Sequence, residues 1–409
     1  MNAFAGIPGK EEIMERYRRN LRTLALNVNS HIHTPYSFSA FNNMEELFVK
    51  ARQEGVNVLG INDFNGADGF DEFLRLATQY RIFPLFNIEL IGLLEKEQKQ
   101  NIRINDPNNP GRTYFCGKGL RYPFSVNREN EILLQQVRDA SQQQAMRMTE
   151  ILQSWLQQNE APFGLTYPEI KTALAKEVVR ERHIAKMLRI KMNEAIFGEA
   201  EKKRFLRALY SGRDTEADLQ DPASLEEELR ANLLKSGGIA FVAESPDAFL
   251  PVREIIGIVR DAGGIPCYPV LLDDKKGNLT GFEGDFHSLQ RKLQELGVGM
   301  VELIPARNDF HTLKRFVKIF DEAGFVISFG TEHNTPVMTP LTLSCRGNVP
   351  LDDELQQIAV QGCCLVAAHQ YLVSRGERGL ADPEDFAKSR NKSDYIELGH
   401  AVIEQFINP

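Results

Sequence analysis

The stretch Asn29-Ser30-His31-Ile32-His33-Thr34 sets the register against which the rest of the chain is read. It follows a mainly apolar run, residues 24–28, with the pattern of a short buried strand. Side chains two apart on a strand leave from the same face, so His31 and His33 bring two imidazoles together where that strand ends. A pair placed in this way either chelates a metal ion or sits in hydrogen bonds with no ligand between the rings.

Downstream, Asn43 with Glu46 three positions on reads as a helix start. Leu47, Phe48 and Ala51 supply its apolar stripe, and Gly55 closes it. Residues 58–61 read as a second strand with Asp63 at its exit, and residues 82–90 as a third with Glu89 near its end. Strands alternating with helices, with polar residues at the strand exits, mark a parallel α/β protein whose chemistry gathers at the carboxyl ends of the strands. His31, His33, Asp63 and Glu89 all fall at such ends. Residues 101–104 and 112–117, separated by Asp-Pro-Asn-Asn-Pro-Gly, read as a hairpin. From about 130 to 237 the pattern is helical, over 131–159, 167–191, 199–210 and 224–235. The alternation then resumes, with strands at 265–269, 300–304 and 325–330 and helices at 285–296 and 309–323. Helices over 11–20, 352–375 and 393–406 complete the expected elements. Strands starting near 24, 58, 82, 112, 265, 300 and 325 make seven. The expected organisation is a barrel built from 1–128 and 241–340, interrupted by a helical insertion over 129–240 and followed by a helical extension over 341–409 on the barrel exterior.

The 409 residues are 42% apolar and 25% charged, as in an ordinary globular protein, and carry a net charge of −8. An acidic chain lacks the basic surface that a nucleic-acid backbone requires, so no nucleic-acid partner is expected. No apolar run approaches membrane-spanning length and the first ten residues do not read as a signal peptide, so a cytoplasmic protein with no membrane partner is expected. The five cysteines, Cys116, Cys267, Cys345, Cys363 and Cys364, form no C-x-x-C and read as small buried residues.

In this order and spacing, the His-x-His after strand one, the Asp after strand two and the Glu after strand three resemble the PHP (polymerase and histidinol phosphatase) family. Glu181-Arg182-His183-Ile184-Ala185 resembles the Arg-x-His-Ile-Ala segment of the helical domain in its nucleotide-monophosphatase branch, with Glu181 where that Arg would stand. The resemblance, over roughly residues 20–340, implies a distorted (β/α)7 barrel, TIM-like, with up to three metal ions at its C-terminal face. By residue type, His31, His33, Glu89 and Glu332 carry over as metal ligands. The other family imidazoles do not. Phe64 stands for the His after strand two, Tyr114 for the His of strand four, Tyr268 for the His of Ala-His-Pro, and Asn334 for the last His of Gly-Ser-Asp-x-His, where Glu332 replaces the Asp. The expected cofactor is therefore one divalent ion, Zn²⁺, Mn²⁺ or Fe²⁺, rather than three.

The resemblance implies a metal-dependent hydrolase, a phosphoesterase acting on a small phosphorylated metabolite. The lost imidazoles leave room for a one-metal lyase, isomerase or non-phosphate hydrolase on a sugar-like substrate, and for a binding protein without catalysis. Asp63 is the candidate general base or secondary ligand, or else a cap for the following turn; Tyr268 is a donor to a developing oxyanion, or packing; His333 is a replacement ligand or faces the substrate. Cations for a small anionic substrate come from a basic stretch, 171–213, with 12 Lys or Arg against 5 Asp or Glu. Arg182, His183, Arg307 and Asn334 are the expected substrate-binding residues. Glu302, between apolar Val301 and Leu303, is expected to point into the barrel mouth, in an ion pair or in the site.

Overall fold

Seven strands form the barrel. The computed structural model describes residues 3–19, 24–380 and 389–409. The barrel strands are β1 (Val28–Ile32), β2 (Val58–Phe64), β3 (Phe83–Leu93), β4 (Arg112–Lys118), β6 (Ile265–Val270), β7 (Met300–Leu303) and β8 (Val326–Phe329), hydrogen-bonded in that order. The two-residue β5 (Leu250–Pro251) pairs with β3 off this path. All neighbours run parallel except β4, which is antiparallel to both β3 and β6. The two ends of the sheet meet: His33 N–H donates to the Glu332 carbonyl at 2.7 Å and Glu332 N–H to the His31 carbonyl at 3.0 Å. Gly330 makes this closure possible, because a Cβ there would lie 2.2 Å from the Cβ of His31. The fold is thus the α/β, seven-stranded barrel expected.

The first strand lies four residues later than its apolar pattern implies. Residues 24–27 carry no regular structure, while Asn29, Ser30 and His31 are buried inside β1. These polar groups find partners within the barrel, so polarity does not mark the strand end there. Residues 112–118 pair with β3 rather than with 101–104, because β3 runs on to Leu93; a short helix, α4 (Glu95–Lys99), follows it, and residues 102–104 carry no regular structure.

Around the barrel pack α2 (Met44–Gln53), α3 (Phe70–Tyr80), α10 (Val252–Asp261), α11 (Phe286–Glu295) and α12 (Phe310–Glu322). Asn43 caps α2 by accepting from Glu46 N–H at 3.0 Å, and Gly55 takes the left-handed conformation that ends it. The helix α13 (Asp353–Ser374) is not exterior decoration. It lies across the strand starts, where Gln370 accepts from Phe86 N–H and donates to the Pro84 carbonyl, and most of its later residues are buried. Together with α1 (Lys10–Arg19) and the C-terminal helix Ser389–Ile407, it closes the barrel end opposite the strand exits; residue 20 of the expected first helix lies outside the described residues.

Between β4 and β5 run α5 (Arg128–Gln158), α6 (Tyr167–Leu174), α7 (Glu181–Ala195), α8 (Glu199–Leu209) and α9 (Pro222–Leu229). The pattern over 167–191 divides into α6 and α7 across residues 175–180. These helices bury a hydrophobic cluster of their own, from Ala145 to Ala240, separate from the barrel core. The long α5 belongs to both: Leu134 and Val137 enter the barrel core, Ala145, Met148, Leu152 and Leu156 the second cluster.

Candidate metal centre

His31 lies in β1 and His33 one residue beyond it, and their alternation places the two Nε2 atoms 3.2 Å apart with both rings buried. Each ring is held from behind. His31 Nδ1 lies 2.6 Å from Glu302 Oε2, so its proton sits on Nδ1 and the Nε2 lone pair points inward. Ser37 donates to Asp63 at 2.6 Å and so accepts from His33 Nδ1 at 3.2 Å, which gives His33 the same tautomer. Burial pushes the His33 imidazole down to about 4 despite the nearby Asp63 and Glu332 carboxylates, so it is neutral at pH 7.

Glu89, from β3, brings a carboxylate oxygen to 3.2 Å from His33 Nε2. Ligand atoms of His31, His33 and Glu89 all lie within 4.8 Å of one another. Burial pushes the Glu89 carboxyl up to about 7; His31 draws it down, while Glu332 and Glu302 oppose its charge. Two imidazole lone pairs and a carboxylate converge; the Asn62 amide lies 3.2 Å from His31 Nε2, and the Cys116 thiol is a weak donor to Glu89 at 3.9 Å. Such a set of acceptors calls for a positive charge, and its N, N, O composition fits a divalent ion. Glu332 and Arg307 form an ion pair at the rim of the same cavity, of about 100 Å³, which Tyr114 and Asn334 also line. Burial alone would raise the Glu332 carboxyl, but Arg307 and the two imidazoles outweigh it and hold it low.

A second group lies deeper in the barrel, where His31, Cys116 and Glu302 approach one another. Between them enters Lys118, from the end of β4, its ammonium 2.6 Å from Glu302 Oε1 and 2.8 Å from the Asn62 carbonyl oxygen. The Ser328 hydroxyl donates to the same Glu302 oxygen, and the single Ser30 hydroxyl proton is shared between that oxygen at 3.0 Å and the Phe329 carbonyl at 2.8 Å. Burial would raise the Glu302 carboxyl, yet Lys118 and then His31 bring it down to about 2, so it is ionised. The expected inward direction of Glu302 is what the barrel displays. Lys118, Asn62 and Cys116 were not read from the sequence, although Tyr114, Cys116 and Lys118 share the inward parity of β4.

Several expected site residues face elsewhere. Asp63 accepts from Thr34 N–H, the Thr34 hydroxyl and the Ser37 hydroxyl at 2.5–2.7 Å, which staples the loop after β1. His333 turns away from the cavity. Its Nδ1 meets the Thr331 hydroxyl, its Nε2 the Thr339 carbonyl, and its ring stacks on Phe41. Glu332 and His333 both adopt left-handed φ, +66° and +57°, so strand alternation does not govern their directions. Tyr268 gives its hydroxyl to buried Glu283, which also accepts from Leu271 and Leu272 N–H; the phenol holds the loop after β6. Arg182 pairs with Glu227 inside the insertion, and His183 Nδ1 accepts from Arg180 N–H while its ring packs edge-on against Phe38. Neither lines the cavity.

Arg180, at the start of α7, is a cation of the insertion that lies against this end of the barrel. Its guanidinium lies 4.2 Å over the Phe64 ring, which in turn stacks on His33. It opens onto a cleft of about 840 Å³ between barrel and insertion, bordered by Arg112, Tyr114, Glu181, Arg230 and Lys235. Tyr114 borders both this cleft and the smaller cavity. Glu181, where the family segment has Arg, is paired with Arg230 and Lys235 at 2.6 Å each.

Among solved structures, a protein from Bifidobacterium adolescentis provisionally assigned as a metal-dependent phosphoesterase matches with a TM-score of 0.54 at 16% identity, covering 82% of this chain and 96% of that one. An amidohydrolase from Chromobacterium violaceum, solved with bound sulfate and no metal, matches with a TM-score of 0.48 at 14% identity over 81% of this chain and 96% of its own. No curated protein matches. Residues 29–212, which span the His31–His33 strand exit, Asp63, Glu89 and the first helices of the insertion, match the PHP domain.

Proposed function

We propose that this protein is a metal-dependent phosphoesterase holding one divalent ion on His31, His33 and Glu89, with Glu332 lining the same cavity. The observation that carries the reading is the pair of inward Nε2 lone pairs 3.2 Å apart beside the Glu89 carboxylate. When bound, an ion there supplies a Lewis acid and an activated water. The chain itself contributes the rest. Glu302 and Ser37 fix the two imidazole tautomers, Arg307 and Asn334 line the small cavity, and Arg180 stands above Phe64 to receive an anion entering from the large cleft. Guanidinium groups suit phosphate, which they bind through paired hydrogen bonds. Because the Glu89 carboxyl takes a proton near 7, ion binding displaces that proton and weakens as pH falls below 7.

The test is metal content per chain alongside phosphate release from a panel of small phosphomonoesters. We expect about one ion, lost in His31→Ala and Glu89→Ala but kept in His333→Ala, and a higher KM in Arg180→Gln. Retention of the ion in His31→Ala and Glu89→Ala sinks the ligand assignment. A specific observation keeps a second reading in view: Phe64 stacks on His33 and Tyr268 is committed to Glu283, where a multi-ion phosphatase of this family would place imidazoles. One bound ion without phosphate release would favour that reading, a one-metal hydrolase or lyase on a non-phosphate substrate.

A further inference from the structure

We propose that Lys118 is the positioning residue of the metal centre: its ammonium is the fixed cation of the deeper His31–Cys116–Glu302 cluster, and through Glu302 it presents His31 Nε2 to the ion. This rests on the one-ion reading above and adds to it how the centre is held ready and why the deeper cluster takes no second ion.

A buried ammonium is a costly group. Lys118 is 1% exposed, and an ammonium so far from water is retained only where fixed partners replace its hydration. It has three: Glu302 Oε1 at 2.6 Å, the Asn62 carbonyl oxygen at 2.8 Å and the Ser30 carbonyl at 3.3 Å. Three contacts match the three N–H bonds of an ammonium, so the group is saturated and charged. Both side-chain partners lead to His31. Glu302 uses its other oxygen on His31 Nδ1, and Asn62, its carbonyl held by Lys118, turns its amide toward His31 Nε2. The Ser328 hydroxyl and, in part, the Ser30 hydroxyl add longer contacts to Glu302 Oε1, at 3.2 and 3.0 Å. The deeper cluster contains the donors a metal ion would want, but the ammonium already sits among them. Two cations at that separation repel strongly in a buried site, so an ion is directed to the upper group of His31, His33 and Glu89. Neutral Met at position 118 would leave Glu302 with only hydroxyls and an imidazole; the carboxylate would then lose its fixed position, and His31 its tautomer.

The experiment is a double-mutant cycle on the full-length, metal-free chain, with Zn²⁺ affinity read by competition against a chelator and folding checked by circular dichroism. Wild type, Lys118→Met, Glu302→Gln and the double variant are compared. If Lys118 acts through Glu302, each single change weakens Zn²⁺ binding about 10- to 100-fold, and the double variant is no weaker than the worse single. In parallel, ¹⁵N-histidine spectra of the metal-free protein show His31 as the Nδ1–H tautomer in wild type and not in Lys118→Met, a change that mere loosening of the barrel does not produce. Should Lys118→Met fail to fold, Glu302→Gln against the double variant, which buries no unpaired charge, carries the same comparison. Losses that add, or a Lys118→Met variant that binds Zn²⁺ like wild type, overturn the proposal and leave the one-ion reading standing. Absence of Zn²⁺ binding in folded wild type overturns the one-ion reading itself.

Discussion

Asp63 illustrates how a side chain at a strand exit can serve the site without touching it. Its three accepted hydrogen bonds fix Thr34 and Ser37, and Ser37 in turn fixes His33. Replacing one carboxylate oxygen by an amide, as in Asp63→Asn, sets an N–H against buried donors. The expected loss is about 2 kcal/mol of unfolding free energy, measured by urea denaturation, with metal binding weakened but not abolished. Undiminished stability with lost turnover would instead return Asp63 to a proton-transfer role. At this scale the sequence was informative where backbone geometry is regular. The period of two brought His31 and His33 together even though the strand begins four residues later than its apolar run, because parity survives a shift of an even number. The direction of His333 was not legible, since two successive left-handed residues break the parity on which such a reading depends. Tyr268 pairs with Val301, one position off the inward Glu302, so it takes the outward parity of β6, where its hydroxyl meets a buried carboxylate, Glu283, in a loop that no local pattern announces.

At the scale of elements, β4 and α7 carry the residues that sequence reading missed. A lysine closing a strand reads as a polar strand end. Because β4 runs antiparallel to its neighbours, its last residue lies inside the barrel instead, and strand direction cannot be read from a short segment between two loops. The helix α7 shows a substitution with a consequence for stability. Glu181 stands where the resembled segment has Arg and pairs with Arg230 and Lys235, joining the start of α7 to the segment after α9. Burial would raise its carboxyl, but Arg230 and then Lys235 outweigh that and bring it to about 2, below the ordinary value of 4.5. A carboxyl whose folded-state pKa is depressed contributes stability that is fully present above its unfolded value and is lost as pH falls toward the folded one. The insertion should therefore lose stability between pH about 4.5 and 2. Glu181→Gln should flatten that slope and cost on the order of 2 kcal/mol at pH 7, read from the acid limb of a chemical-denaturation series. An unchanged acid limb would mean that the pair is satisfied equally well by solvent.

For the molecule as a whole, the two hydrophobic clusters and the helix that crosses them determine how these local effects are felt. The alternation of strands and helices on either side of a helical block made both the barrel and its interruption legible, because each follows a different hydrophobic period. What the periods do not encode is coupling. Leu134 and Val137 tie α5 to the barrel, while four residues from Ala145 to Leu156 tie its second half to the insertion. Because the proposed ligands lie on β1, just beyond its end and on β3, all in the barrel, a divalent ion at 100 times its dissociation constant should stabilise the barrel by about 2.7 kcal/mol. In calorimetry this should appear as an upward shift of one unfolding transition, removed by a chelator, with the other left in place. Glu181→Gln should lower the transition that the ion does not move. If instead a single transition responds to both, α5 transmits stability between the clusters, and the cooperative unit is the whole chain rather than either core. Weakening the crossing point with Ala140→Gly in α5, at a helix-propensity cost of about 1 kcal/mol, would then separate the two responses.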